Sequence, residues 1–237
     1  NKTETDAELA KSSIDVTLPA YPFAAGGLHP ITLALERMKS VLYAMGFAWA
    51  DGPLVETEYY NFDALNIQEN HPARDMHDTF YLEGPEKKLL RTHTSSVQIR
   101  YMKDHKPPVR IISPGKVFRK DSVDASHTIV FNQLEGLYVD KKVSMADLKG
   151  TLAVFLRGLF GSSVKIEFRP SFFPFVEPGA EVHMSCVFCG GKNSKCPVCK
   201  GTGWLEMGGA GIVHPNVLRN VGYNPQESAA YFPGHQY

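Results

Sequence analysis

The segment from Ser113 to Asp140, SPGKVFRKDSVDASHTIVFNQLEGLYVD, reads as an apolar strand, a charged loop opening on Phe118-Arg119, and a returning strand that carries Gln133 and Glu135. Side chains two apart on a strand share a face, so Gln133 and Glu135 stand in one row with Phe131 and Leu137. A carboxylate on an inward face is poor core material, because burying a charge without a partner is costly. Such a row suits a pocket that holds an amine. Arg119, at the mouth of the loop, carries a planar guanidinium suited to phosphate or carboxylate. An amine reader and an anion reader on one antiparallel hairpin predict a site that holds an amino acid beside a nucleotide. The plainer alternative on these residues alone is a solvated sheet face with a surface Arg in a charged turn.

The 237 residues suffice for one large domain, or a domain with appendages. Lys and Arg number 25 and Asp and Glu also 25, a balance that argues against a broad basic surface gripping RNA by phosphate neutralisation alone. No apolar run approaches the length of a membrane span, and the polar start NKTETDAELAKSS is unlike a signal peptide. The expectation is therefore a protein without a membrane partner.

All four cysteines fall in one short stretch, as CVFC, six residues, then CPVC: Cys186, Cys189, Cys196 and Cys199. Two such pairs on facing turns place four thiolates in a tetrahedron, the arrangement of structural zinc. The Gly190-Gly191 and Gly201-x-Gly203 turns leave room for the amides that support the sulfurs. Free thiols or a redox pair are the alternatives. Clustering of this kind points to a metal rather than a disulfide framework and to a reducing compartment, hence a cytoplasmic location.

Residues 1–20 are polar with scattered apolar positions and read as the end of a longer helix or a linker. After a Gly- and Pro-rich loop, Pro30 opens a helical pattern with Leu33, Leu35, Met38, Val41, Leu42 and Met45 on one face, closed by Gly46. A strand around Phe47–Trp49 follows, ending at Pro53, and Leu54 to Arg74 reads as a loop. Leu89–Met102 begins as a strand and becomes a helix, with the Thr/Ser cluster before Val97 as an N-cap signal. Val109–Ile112, Thr128–Val139 and Val164–Phe168 are predicted strands, and Ala146–Phe160 a predicted helix. Helices covering an antiparallel sheet make the fold class α+β.

The hairpin also resembles motif 2 of class II aminoacyl-tRNA synthetases. The closest resemblance is to the alpha (catalytic) subunits of bacterial phenylalanyl-tRNA synthetases, carried in order by GGLHPIT, DTFYL, LLRTHTSSVQIRYM, RPSFFPFVEPGAEV and GAGIVHPNVLRNVGYNP over about residues 12–225. It implies a class II antiparallel sheet flanked by helices with a small zinc-binding insertion. Motif 1, the subunit-interface element, falls at about 29–53, motif 2 at about 109–139 and the zinc loop at 186–199. Residues 1–20 are then the remnant of an N-terminal coiled-coil arm, and 21–237 the catalytic core. The implied function is ATP-dependent activation of phenylalanine, with Mg²⁺, and its transfer to tRNA-Phe. The implied partner is a beta subunit, giving an (αβ)₂ assembly.

By the same resemblance Arg119 contacts the ATP α-phosphate and the amino-acid carboxylate, where charge builds in adenylate formation. His127 is the implied ATP phosphate contact. Asp121 stands where the family usually has Glu for the adenine region, one methylene shorter. Gln133 and Glu135 bind the substrate ammonium, His93, Ser95 and Gln98 meet its polar end, and Phe173 and Phe175 form the aromatic specificity segment, with Glu177 nearby. Packing in the core is the ordinary role of such rings; the surrounding FPFVEPG reverses that expectation here.

After GYNP the resemblance stops. The family continues into motif 3, a Gly-rich strand and a helix whose Arg grips the ATP γ-phosphate, whereas this sequence reads QESAAYFPGHQY. The expectation is a C-terminally incomplete core that lacks a central strand, and at best a feeble enzyme. Two rivals follow: a non-catalytic synthetase-like protein that binds or regulates, and a zinc-ribbon interaction module on an enzyme-like scaffold.

Overall fold

The computed structural model describes residues 26–69, 79–120, 128–226 and 229–236, with residues 5, 6, 15 and 17 besides. Most of the predicted N-terminal remnant lies outside the described residues.

Helix α1 (Pro30–Ala44) starts where Pro30 supplies a preset φ and His29 caps, its Nδ1 accepting from the Ile31 amide at 3.2 Å. It ends at Gly46, whose φ of +82° suits glycine. Met38 and Leu42 are buried and Leu35, Val41 and Met45 partly so, but Leu33 is 54% exposed, as are Leu28 and Ile31 to similar degree. The first turn of the predicted apolar face is therefore uncovered. The cause is its neighbour: α1 packs on α4 (Met145–Phe160), which reaches only the later turns, where Val41 sits over Gly158. Helix α4 owes its start to a capping box between Ser144 and Asp147.

Seven strands form the main sheet: β1 (Ala48–Trp49), β4 (Val109–Phe118), β5 (Val130–Asp140), β6 (Ile166–Pro170), β7 (Val176–Ser185), β8 (Trp204–Val213) and β9 (Ala229–Gln236). Their order is β1-β4-β5-β9-β8-β7-β6, antiparallel except for β1 against β4. One face carries α1 and α4 over Ile112, Leu134, Val182 and Met184. The other buries Ile111, Leu137 and Val139 under helix α3 (Ser95–Asp104) and a second small layer.

That second layer corrects the expected loop after Leu54. Val55–Thr57 (β2) pairs with Lys88–Leu90 (β3), and a short helix α2 (Glu58–Asn61) and a 3-10 turn (Asp63–Leu65) follow β2. Phe62, Leu65 and Ile67 are fully buried there. The segment is rich in polar residues, but its apolar ones converge on α3 and on α5 (Pro215–Asn220), a contact that periodicity along the chain does not reveal.

The missing central strand is the other correction. β9 lies between β5 and β8, with Gln236 opposite Gln133, Gly234 opposite Glu135 and Pro233 opposite Ala210. A ladder is made by backbone groups, so AAYFPGHQ fills a place for which a Gly-rich strand was expected.

Candidate active site

The returning strand β5 points Gln133 and Glu135 into the layer beneath α3, where both are buried. Ser95 Oγ donates to Glu135 Oε1 at 3.0 Å and Gln98 Nε2 donates to Glu135 Oε2 at 2.8 Å. Gln133 Oε1 accepts from the Thr94 amide at 3.1 Å. Burial pushes the Glu135 carboxyl up to about 8, against the opposing pull of the Ser95 bond and of Arg119, Arg91 and Gln98. A carboxylate in that state takes its charge readily when a cation enters beside it. The row read from the sequence is thus an inward one, and not a solvated face.

The same short segment, Arg91–Ser95, also anchors Arg119. Asn61 holds Thr92 from both ends, through Nδ2 to Oγ1 at 3.0 Å and from the Thr92 amide to Oδ1 at 3.2 Å. The Thr92 carbonyl in turn accepts from Arg119 Nε at 3.2 Å, and the guanidinium lies 4.9 Å from the centre of the Phe131 ring. Phe118 donates to the Arg91 carbonyl at 2.9 Å, so the strand end that carries Arg119 is tied to this segment as well. His93 is buried within it. Thr94 occupies the N-cap position of α3 but makes no side-chain cap bond, so no hydroxyl of the cluster caps the helix and the Ser95 hydroxyl serves Glu135 instead.

Phe173 and Phe175 stack on each other, centroids 5.8 Å apart and planes 28° apart, as one apolar wall against the same core. The Phe173 ring lies flat over two glycines. A Cβ on Gly209 would meet its Cζ at 2.8 Å, and one on Gly179 its Cδ2 at 3.3 Å. Glu177 points outward, its Oε2 3.3 Å from His214 Nε2. Asp121 and His127 lie outside the described residues.

Three groups here were not singled out from the sequence: Arg91, Asn61 and Gly209. A signal for Arg91 exists, since it is a charged residue at the end of the apolar run Leu89-Leu90. Asn61 and Gly209 carry none, because their partners are distant in the chain.

The four thiols gather at one end of the sheet, all Sγ atoms within 4.8 Å of one another. Cys189 and Cys199 sulfurs are 3.6 Å apart, Cys186 and Cys196 sulfurs 4.0 Å, and the Gly203 amide lies 3.4 Å from Cys199 Sγ. Gly190, Gly191, Gly201 and Gly203 all have positive φ, the conformation the knuckle turns require. Four sulfurs at such separations can hold a metal ion.

Together these elements bring a buried carboxyl, a guanidinium over the Phe131 ring and a pair of stacked phenyl rings onto one side of the sheet. Residues 13–234 match the family described as tRNA synthetases class II core domain (F). The chain belongs to that family. Among curated relatives, the phenylalanine–tRNA ligase alpha subunit of Pelodictyon phaeoclathratiforme is 53% identical over 230 residues, covering 96% of this chain and 67% of that protein. The subunit of the same name from Pseudomonas fluorescens strain SBW25 is 56% identical over 225 residues, covering 95% and 65%. The chain thus spans about two thirds of the length of these class II relatives. The fold is also that of pyrrolysyl-tRNA synthetase from Desulfitobacterium hafniense, with a TM-score of 0.63 at 18% identity over 87% of this chain and 66% of that one. Among the described residues no helix is long and apolar enough to cross a membrane.

Proposed function

We propose that this chain is the catalytic-core part of a phenylalanine–tRNA ligase alpha subunit, acting with ATP and Mg²⁺ in the cytoplasm and charging tRNA-Phe together with a beta subunit in an (αβ)₂ assembly. The observation that carries the reading is the buried Glu135 carboxylate, gripped by Ser95 and Gln98 and flanked by Gln133. Burial raises the proton affinity of such a group, and a cation entering beside it restores the charge. Support also comes from the relatives, which are named phenylalanine–tRNA ligase alpha subunits.

In this reading Glu135 and Gln133 hold the α-ammonium, His93, Ser95 and Gln98 complete the polar end, and Phe173 and Phe175 pack on the substrate ring. The substrate carboxylate attacks the α-phosphorus of ATP, forming the acyl–phosphate bond as pyrophosphate leaves. Arg119 stabilises the negative charge that grows on the phosphoryl oxygens. Asp121 and His127 are assigned to the nucleotide by the family resemblance alone. Magnesium arrives with the ATP phosphates, which supply its hard oxygen ligands. Cys186, Cys189, Cys196 and Cys199 suit zinc, which supplies fold energy at the knuckle when bound and leaves no open position for substrate.

A second reading, amino-acid binding with adenylation far below that of an intact synthetase, is favoured by one observation. Strand β9 reads AAYFPGHQ, not the Gly-rich strand that the resemblance implies for motif 3. Pyrophosphate exchange with phenylalanine, run with and without a beta subunit, tests both. Phenylalanine-dependent exchange supports the ligase reading. Phenylalanine binding without exchange supports the second, and no binding removes both.

A further inference from the structure

Arg91 has a place in the site that its role as a strand-end residue does not explain. It is 3% exposed, and its hydrogen bonds among the described residues go to backbone carbonyls. Its Nε donates to the Lys116 carbonyl at 2.9 Å and Nη1 to the Gly52 carbonyl at 3.2 Å, while Nη2 fills the space where a Cβ on Gly115 would stand. Gly115 is the cross-strand partner of Gln133 and Ser113 that of Glu135. Cross-strand partners share a sheet face, and diagonal positions are about 7–8 Å apart. The guanidinium therefore takes the place of a side chain directly opposite Gln133 and diagonal to Glu135, on the ammonium-binding face.

We infer that Arg91 is a positioning residue of the amino-acid pocket, a fixed countercharge that eases ionisation of Glu135 when an ammonium enters, without itself touching the amino acid. The inference rests on the amino-acid-binding reading above. The groups facing Glu135 are few. Ser95 and Gln98 come from α3, both neutral; Arg119 comes from the loop after β4; Arg91 precedes α3. Asp51 and Glu56 act in turn on Arg91, whose own proton affinity is lowered by burial and restored in part by Glu135, Glu56 and Asp51. A second cation is needed because Arg119 is committed to the anion side of the site. Ionisation of Glu135 accompanies entry of the ammonium, and a nearby guanidinium lowers the cost of that step. Gly115 is explained by the same device: any larger residue there evicts the guanidinium.

The test is titration of Glu135 by carbon-detected NMR, with Glu135→Gln for assignment, alongside phenylalanine affinity by calorimetry from pH 6 to 9. Arg91→Gln and Arg91→Lys both lose the forked bonding and differ in charge. In Arg91→Gln the Glu135 midpoint should rise by about one pH unit, with phenylalanine affinity at pH 7 about tenfold lower and recovering at pH 9. Arg91→Lys should stay near the wild type. Gly115→Ala, which displaces the guanidinium without removing it, should move in the direction of Arg91→Gln and serves if that variant fails to fold. Equal midpoints in the charged and neutral variants, or an unmoved midpoint in Gly115→Ala, overturn the inference. A wild type that binds no phenylalanine while the Glu135 midpoints remain split removes the substrate reading and leaves the countercharge standing.

Discussion

The side-chain amide of Gln98 donates to Glu135 Oε2 at 2.8 Å, while its own Oε1, buried, has no partner among the described residues. The amide is thus held by its donor end, and its acceptor is left unpaired.

Breaking that pair should cost binding. Gln98→Ala removes a hydrogen bond to a charged group, worth about 1.5–3 kcal/mol, so phenylalanine affinity should fall by roughly tenfold to a hundredfold by calorimetry. Unchanged affinity would place the ammonium elsewhere.

Glu135 also makes stability depend on pH. Its folded-state value of about 8 lies above the ordinary 4.5, so between those limits the folded chain holds a proton that the unfolded chain has released. Stability contributed by this group is full below pH 4.5 and declines as pH rises towards 8, by about 1.4 kcal/mol per pH unit at most. Glu135→Gln should flatten that part of the profile in denaturant titrations at pH 5, 6, 7 and 8. A parallel profile in the variant would show that the carboxyl is already ionised.

At the knuckle, the chain between Cys186 and Cys199 buries little besides the sulfurs, and Phe188 is 73% exposed. Metal must therefore supply the folding energy of the turn. Elemental analysis should find about one zinc per chain, lost in Cys196→Ser, and a chelator should lower the melting temperature. An ordered knuckle in metal-free protein would contradict this.

The aromatic wall makes a separable prediction. Phe173→Ala should weaken phenylalanine binding by about 2–4 kcal/mol while ATP binding barely changes. Gly209→Ala, whose methyl would press on the ring at 2.8 Å, should also weaken phenylalanine binding by pushing Phe173 into the pocket. Stronger thermal protection by tyrosine, leucine or histidine than by phenylalanine would refute the substrate assignment.

Adenylation by this chain alone should be slow, because β9 lacks the Gly-rich sequence of motif 3. Exchange at about 1–10 s⁻¹, the ordinary enzyme range, in the purified chain without a beta subunit would refute that.

Much of this was legible along the chain wherever a short-range pattern carries the information. Period-2 alternation placed Gln133 and Glu135 on one face, Pro30 and Gly46 bracketed α1, and the spacing of Cys186, Cys189, Cys196 and Cys199 brought four sulfurs together. These depend on local geometry, which sequence separation expresses directly. The three-dimensional arrangement alone decided the rest. It turned the polar stretch after Leu54 into a packed layer, put β9 between β5 and β8, and made the segment Arg91–Ser95 the anchor of both Gln133 and Arg119. It also set a guanidinium over Gly115 and a phenyl ring over Gly209. Each joins groups far apart in the chain, where pairing depends on which backbone comes close and which position lacks a side chain, and no local periodicity records that.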